Sequence, residues 1–520
     1  MKKIFLILLA CAASATSCIK DAEVTAYMTP DVKDDIASED PDKVFAAAVA
    51  GMQTDFQSYV YSNMSHNYFG QKGFDYLSSL MGNDMIMTGR YAMSLYHYIL
   101  DYWGENYVAT ANRWREYYRM IDAANSIIGS IAEDETAASV LRYKATALTF
   151  RGQAYLQLTY LYQYSYYVGA DDTKWGKGAK YDHSNDPCVP IVTDVITGQQ
   201  PRSTVAEVYE QLLGDLEEAY GIFAQIGAVK TADPTDIDGC VVAMYLARAY
   251  MVKHDWTNAL KYAQIVCDNF DVLRGNDILQ GFSSLNLSDI VFGCDITSDN
   301  STIYMSWFSQ MDMFGDGYAG IGVARAGFKP TVDRISDTDI RLDWFYTSRN
   351  TAKLTAEFGR EPEVDYQSCK FIGAGRSNVV NGFGEGWELG DYIYLRSEEA
   401  YLMKAEILAH MNQTSEAVAV LNAFMQTRDP QYSCKVSSKA DVIEEINFQK
   451  RIEFWGEGIE FLDNRRLNIP VDRTDATWGE ANNHLDAGRF YYDQESRPFL
   501  YQIPISEIEN NKEISAADQN

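Results

Sequence analysis

Apolar and small residues recur at helical spacing through two stretches that align with each other, Val242–Asn269 (VAMYLARAYMVKHDWTNALKYAQIVCDN) and Ala400–Arg428. In each, two alanines stand twelve apart, Ala247 with Ala259 and Ala405 with Ala417. The apolar positions around them match, Tyr250 with Leu408 and Leu260 with Val418. This is the pattern of a helix-turn-helix unit of the tetratricopeptide kind, where small residues let two antiparallel helices approach. Leu141–Tyr167 and Thr204–Phe223 predict a further pair around a long insertion, and Asn112–Ile128 with Val44–Tyr61 another. Tyr155, Tyr162 and Tyr166 share this spacing and are expected in the core. His254 and His410 fall on the turns of the repeat and are expected at the surface. Between the helices, segments 62–111, 168–202, 271–392 and 470–500 lose the period and fill with Gly, Asn, Asp and aromatics. Asp289–Gly293 within them reads as a short strand. The fold class is therefore mainly α: helix pairs as a scaffold, with long irregular loops and short strands.

Three segments near the C-terminus carry a more specific signal. Tyr394–Asn412 (YLRSEEAYLMKAEILAHMN) places Leu395, Ala400, Tyr401, Met403, Ala405 and Leu408 at helical spacing. Arg451–Ile469 (RIEFWGEGIEFLDNRRLNI) ends a helix on Gly456 and Gly458, then sets Asp463, Arg465 and Arg466 beyond Phe461–Leu462. Bidentate ion pairs from such groups position elements and need no chemistry. Tyr501–Asn511 (YQIPISEIENN) follows. In this order the segments closely resemble the SusD/RagB family of outer-membrane nutrient-binding lipoproteins. Glu398, Glu399, Glu406, Arg451, Glu453, Phe454, Gly458, Asp463, Arg465, Arg466 and Pro504 sit where the family's patterns expect them. The chain departs at Lys450, where Glu is usual, at Glu460, where Arg is usual, and at Asn510-Asn511 in place of the usual tail. Asp339 and Arg341 resemble the family's D-x-R loop, an expected structural ion pair. The resemblance implies one domain over 41–520, with helix pairs near 44–128, 141–223, 242–270 and 394–428 forming one face and loops the other.

The N-terminus agrees. Met1–Ser17 has basic Lys2 and Lys3, an apolar run and small residues before Cys18, the form of an export signal too short to span a bilayer. Cys11 also fits a lipid-attachment pattern; the signal length favours Cys18 as the lipid-bearing residue. Residues 18–40, rich in Asp and Glu, read as a solvated tether. The remaining six cysteines are scattered, with Cys240 and Cys267 expected as buried thiols and a Cys369–Cys434 bridge left open.

Charge and composition narrow the function. The formal charge is −29, and loss of Lys2 and Lys3 takes it to −31, so phosphate backbones would be repelled and nucleic acid is excluded as a partner. The six histidines are isolated, and no H-E-x-x-H, P-loop, G-x-S-x-G or EF-hand pattern occurs, so neither cofactor nor metal is expected. Gly315–Gly320 satisfies the dinucleotide pattern G-x-G-x-x-G, but no buried strand precedes it and no helix follows; it reads as a flexible loop.

Aromatics are the outlier, with 36 Tyr, 23 Phe and 9 Trp. Two loop regions set them beside amides or acids: Asn83, Asp84, Trp103 and Asn106 in one, Tyr304, Trp307, Phe308 and Tyr318 in the other. A pyranose desolvates its CH-rich face against an aromatic plane while amides and acids satisfy its hydroxyls. The resemblance places sugar-contacting groups at corresponding places along the chain, Trp103 and Asn106 matching best. It further implies a lipid-anchored protein of the outer membrane, facing the exterior, that passes oligosaccharide to a SusC-like TonB-dependent transporter. A peptide ligand is the alternative within that reading. A glycoside hydrolase on a helical scaffold is the alternative outside it, because carboxylate catalysis leaves no short motif.

Overall fold

The structure, a computed structural model, describes residues 41–58, 66–89, 92–168, 173–175, 181–195, 198–297, 306–315, 317–373 and 389–520. Cys11, Cys18, the acidic tether and Tyr304 lie outside them. The chain divides into two compact units, one ending at Ala48 and one running from Val49 to Asn520. The second unit carries all the candidate ligand-binding residues that the structure describes.

Helices dominate. In chain order they are α1 (Pro41–Ser58), α2 (Gly70–Leu80), α3 (Ala92–Tyr98), α4 (Val108–Gly129), α5 (Ala138–Tyr162), α6 (Val205–Gln225), α7 (Gly239–Val252), α8 (Trp256–Asn269), α9 (Trp307–Met311), α10 (Lys329–Val332), α11 (Thr351–Phe358), α12 (Ser397–His410), α13 (Thr414–Met425), α14 (Lys439–Glu453), α15 (Ile459–Leu467), α16 (Asp475–Trp478) and α17 (Ile505–Asn510). The repeat is real: α7 packs on α8 and α12 on α13, and α8 packs on α12 to join the pairs. Ala247, Ala259, Ala405 and Ala417 are each fully buried, which is what lets the backbones approach. Helix starts follow their caps. Asp238 accepts from the Cys240 and Val241 N–H groups to begin α7, Asp255 from Asn258 N (3.1 Å) to begin α8, and Thr204 with Glu207 makes a reciprocal box at α6.

Helix α5 packs between α4 and α6. A Cβ at Gly152 would stand 2.7 Å from the Leu216 side chain, so glycine sets the α5–α6 approach. Helix α4 joins α1 through an Arg119–Asp55 ion pair of 2.9 Å. Tyr155 and Tyr162 are buried as expected, but α5 stops at Tyr162 and leaves Tyr166 half-buried beyond it, edge-on to Tyr209. His254 is half-buried on its turn. His410, expected at the surface, is buried and lies flat on Trp256 at 4.1 Å.

Among the described residues, four two-stranded antiparallel ribbons complete the frame: β1 (Met85–Met87) with β5 (Arg325–Gly327), β2 (Tyr167–Val168) with β3 (Tyr181–Asp182), β4 (Ile290–Cys294) with β6 (Tyr392–Arg396), and β7 (Val471–Asp472) with β8 (Tyr491–Tyr492). Leu395, expected in a helix, belongs to β6. That strand runs straight into α12, so its alternation merges with the helical period beyond it.

The C-terminal segments meet in a buried charge cluster. Glu453, ending α14, has no exposed side-chain surface and lies 3.3 Å from Arg341, 3.3 Å from Arg396 and 2.9 Å from Arg428. Arg428 also pairs with Glu398 at 3.0 Å, and Glu457 takes Arg396 at 2.9 Å and Lys370 at 2.7 Å. The Asp339–Arg341 pair forms at 2.7 Å and feeds this cluster. Asp463 pairs with Arg466 (2.6 Å) and Lys450 (2.6 Å), whereas Arg465 donates to the carbonyls of Tyr160, Gln163 and Gln494. The six described cysteines are free thiols, Cys188, Cys240, Cys294 and Cys369 buried and Cys267 and Cys434 partly so, and no Cys369–Cys434 bridge forms.

Candidate functional site

The turn between α3 and α4 gathers rings at the surface. Tyr96 leaves the last turn of α3, Tyr102 the loop, and Tyr107 the residue capping α4. Tyr96 stacks on Tyr102 at 4.5 Å and 15°, and Tyr107 leans on the same ring at 4.9 Å, with His97 edge-on at 5.2 Å. Tyr96 and Tyr107 remain 37% and 40% exposed, unusual for large rings and the reason the cluster stands out. Asn106 is exposed beside Tyr107, and half-buried Trp103 has the Arg497 guanidinium 5.0 Å from its ring centre. Partial burial, with Tyr96, Tyr107 and Asp101 nearby, raises the Tyr102 hydroxyl pKa, so it stays protonated and able to donate.

Backbone contacts hold the loop. Leu100 sits in the left-handed region at φ 58° and reverses the chain after α3. Thr110 Oγ1 donates to the Tyr102 and Gly104 carbonyls at 3.2 and 3.1 Å. From the C-terminal side, Gln502 N donates to the Trp103 carbonyl (2.8 Å) and Ile505 N to the Glu105 carbonyl (3.0 Å). The Gln502 side-chain oxygen accepts from Glu105 N at 3.0 Å.

Beneath α3 lies a buried polar network. Arg473 donates to the carbonyls of Leu80 (2.8 Å), Gly82 (2.9 Å) and Tyr98 (2.7 Å), tying the end of α2 to the end of α3. The Tyr98 hydroxyl meets His484 Nδ1 at 2.6 Å, and His484 Nε2 meets the Asn83 carbonyl at 3.1 Å. A carbonyl can only accept, so Nε2 carries the proton and Nδ1 accepts from the tyrosine. Burial and then the Arg473 charge hold the His484 pKa well below its usual value, and burial pushes Tyr98 up to about 12, so both remain neutral. Glu460 accepts from the backbone N–H groups of Asn83 and Asp84, and burial, with the Asp84 charge, raises its pKa to about 7.

These contacts correct several expectations. Asn83 and Asp84 are buried with their side chains committed: Asn83 to Pro470 O (3.2 Å) and Asp472 N (2.9 Å), Asp84 to Arg451 (2.6 Å) and Thr331 (2.7 Å). They brace the frame and offer no surface to a ligand. Trp307 and Phe308 are likewise buried at 1% and 0% exposure: Lys72 lies 4.2 Å from the Trp307 ring and Gly390 approaches Phe308. Tyr318 is half-buried and its hydroxyl bonds to His66. The dinucleotide-like glycines serve close approach, since a Cβ at Gly317 would stand 2.5 Å from Ser309 Cα. Of the candidates, Trp103 and Asn106 stay together at the surface; Tyr96 joins them without having been singled out. The crowding of rings in Tyr96-His97-Tyr98 and Tyr102-Trp103 was the available signal. Among the described residues no cluster of three or more His, Cys, Asp or Glu could hold a metal ion.

A SusD-like family described as starch-binding and associating with outer membrane matches residues 31–233, and the SusD family matches 345–520. The chain belongs to the SusD family. Solved SusD structures share its fold. A SusD-like carbohydrate-binding protein from Bacteroides vulgatus superposes with a TM-score of 0.73 at 22% identity, covering 92% of this chain and 98% of that one. A SusD superfamily protein from Bacteroides thetaiotaomicron gives 0.69 at 20% identity, covering 92% and 99%. Surface glycan-binding protein A from Bacteroides thetaiotaomicron, in complex with laminarihexaose, gives 0.64 at 16%, covering 91% and 98%. No curated protein sequence matches the chain. Like the SusD family's charged motifs, the ion pairs around Glu453 and Glu406 belong to the frame and not to the ring cluster.

Proposed function

We propose that this protein is a non-catalytic cell-surface lipoprotein that binds oligosaccharide and passes it to a SusC-like TonB-dependent outer-membrane transporter. The observation that carries the binding reading is the exposed stack of Tyr96, Tyr102 and Tyr107 beside Trp103 and Asn106, on a loop braced from two sides. Rings of this kind take the apolar face of a sugar, and the Asn106 amide and tyrosine hydroxyls both donate to and accept from its hydroxyls. Each stacking contact contributes about 1–3 kcal/mol, taking the value for bases on aromatics. Two or three contacts, after ordering costs, give affinities of roughly micromolar to millimolar. That range suits a protein that must release what it captures. No described helix is long and apolar enough to cross a membrane, and attachment through lipid on Cys18 supplies the anchor in this proposal.

The structural neighbour solved with laminarihexaose makes that glucan the first probe. Calorimetric titration of purified protein with laminarihexaose, other glycan oligomers and mixed peptides should give saturable glycan binding without product formation. Peptide binding alone, or hydrolysis abolished by one Asp or Glu substitution, would replace this reading. Delivery is tested separately, by co-purification with a TonB-dependent barrel from the same membrane.

A further inference from the structure

Residues 497–519, far away in sequence, hold the ring loop at Trp103 and at Glu105. Gln502 makes a two-point clasp: its backbone N–H donates to the Trp103 carbonyl at 2.8 Å, and its side-chain oxygen accepts the Glu105 N–H at 3.0 Å. A Cβ on Gly104, between them, would lie 3.9 Å from that same side-chain oxygen and 3.2 Å from the Tyr107 ring. The clasp has a second layer. Gln519 Nε2 donates to Glu105 Oε2 (2.9 Å) and to the Ile503 carbonyl (2.9 Å), while Gln519 Oε1 accepts from Ile503 N at 2.7 Å. One side-chain amide thus spans the loop and the strand of chain that clasps it. Arg497 packs against the Trp103 ring from the same segment.

We infer that Gln502, supported by Gln519, is a positioning residue for ligand capture: it fixes the height and tilt of Trp103 and Tyr107 without itself touching ligand. The inference rests on reading the ring cluster as a sugar-binding surface. Its physical basis is that a loop offering stacked planes must be held in one conformation before the ligand arrives, or the ligand's binding energy is spent on ordering it. Thr110 and the backbone of Ile505 hold other points of the loop, so loss of Gln502 loosens 103–105 without unfolding the frame. Removing the side chain leaves the Glu105 N–H without its acceptor and the loop fixed by fewer points.

The experiment uses the full chain and three variants: Gln502→Ala, Gln502→Glu, which keeps an acceptor oxygen for the Glu105 N–H, and Trp103→Ala. Two quantities are read, amide hydrogen exchange of the 101–107 segment without ligand and affinity for laminarihexaose. For Gln502→Ala, exchange at Glu105 should rise about five- to tenfold with the helical core unchanged, and affinity should fall by a similar factor. Gln502→Glu should return both values to within about twofold of the parent, the small remainder reflecting the nearby Glu105 carboxylate. Unchanged exchange in Gln502→Ala overturns the positioning role, and so does full affinity in that variant when Trp103→Ala binds weakly. Loss of affinity in Gln502→Glu equal to that in Gln502→Ala overturns it too, since Gln502 would then be contacting ligand. If neither the parent nor any variant binds laminarihexaose or the other glycan oligomers, the sugar-binding reading fails instead, and the exchange measurement alone decides whether Gln502 holds the loop.

Discussion

Two regions of this molecule concentrate chemically expressive side chains and use them in opposite ways. Around Glu453, three arginines, a lysine and several carboxylates are sealed from water, and their charges are answered inside the cluster. Around Tyr102, one ring stacks face to face and another leans at an angle, yet Tyr96 and Tyr107 stay exposed. The first region is closed to solvent; the second presents exposed rings and is the proposed binding surface. Dense motif signal and the proposed binding surface therefore lie in different places. The SusD-family motifs describe the first region, because a buried guanidinium needs a carboxylate at a defined position. A loop that grips sugar needs only rings in roughly the right plane.

Breaking the closed region has the largest effect. Glu453→Ala strands Arg341, Arg396 and Arg428 in an interior without their shared counter-ion, and should lower stability by about 3–5 kcal/mol in urea denaturation. A loss below about 1 kcal/mol would mean that water reaches the cluster and that its burial contributes little. Trp307→Ala sharpens the contrast between tryptophans. Removing a buried indole packed against Phe371 at 5.0 Å should cost about 3–5 kcal/mol, whereas Trp103→Ala should cost about 1 kcal/mol or less. Equal losses would place Trp103 in the core.

A smaller effect links the two regions through pH. Glu460 in the native state holds its proton up to about pH 7, while the unfolded chain releases it near the ordinary value of 4.5. Between those values only the native state keeps the proton, so this group's contribution to stability falls as pH rises through the window and levels off above it. Raising the pH from about 5 to 7.5 should therefore weaken the wild type by about 2–3 kcal/mol more than Glu460→Gln. Parallel pH profiles for the two proteins would show that Glu460 ionises normally. Glu457 works in the other direction: the Arg396 and Lys370 charges overcome its burial and lower its pKa to about 2, so its contribution is lost as pH falls from about 4.5 toward 2.

How far the sequence led depends on which of these regions one asks about. The helix pairs were legible because small residues twelve apart have one economical use, and Ala247, Ala259, Ala405 and Ala417 are all buried where the helices meet. Asp339 with Arg341 was legible through the resemblance to the family's D-x-R loop, and the two groups pair at 2.7 Å. Leu395 was misplaced because a five-residue strand continuous with a helix leaves too few residues for the two periods to separate. Asn83 and Asp84 looked like surface polar groups because the partners that consume them, Arg451 and Asp472, come from hundreds of residues away. Trp307 and Phe308 failed for the same reason: an aromatic in a loop rich in Gly and polar residues reads as exposed until its packing is known. Glu460 is the most instructive departure. Where the family carries Arg, this chain places a carboxylate that caps the Gly82–Asp84 turn, and Lys450 turns separately to Asp463.

The proposed binding surface is the ring cluster of the α3–α4 turn, with the frame beneath it only holding the rings in place. It is tested most directly by titrating Tyr107→Ala and Trp103→Ala with laminarihexaose and recording each variant's thermal midpoint alongside. Each variant should bind about five- to 150-fold more weakly than the parent, the loss of one stacking contact, with a midpoint shifted by no more than a few degrees. Parent-like affinity in both variants would contradict the claim, and so would weak binding that appears only where the midpoint has collapsed.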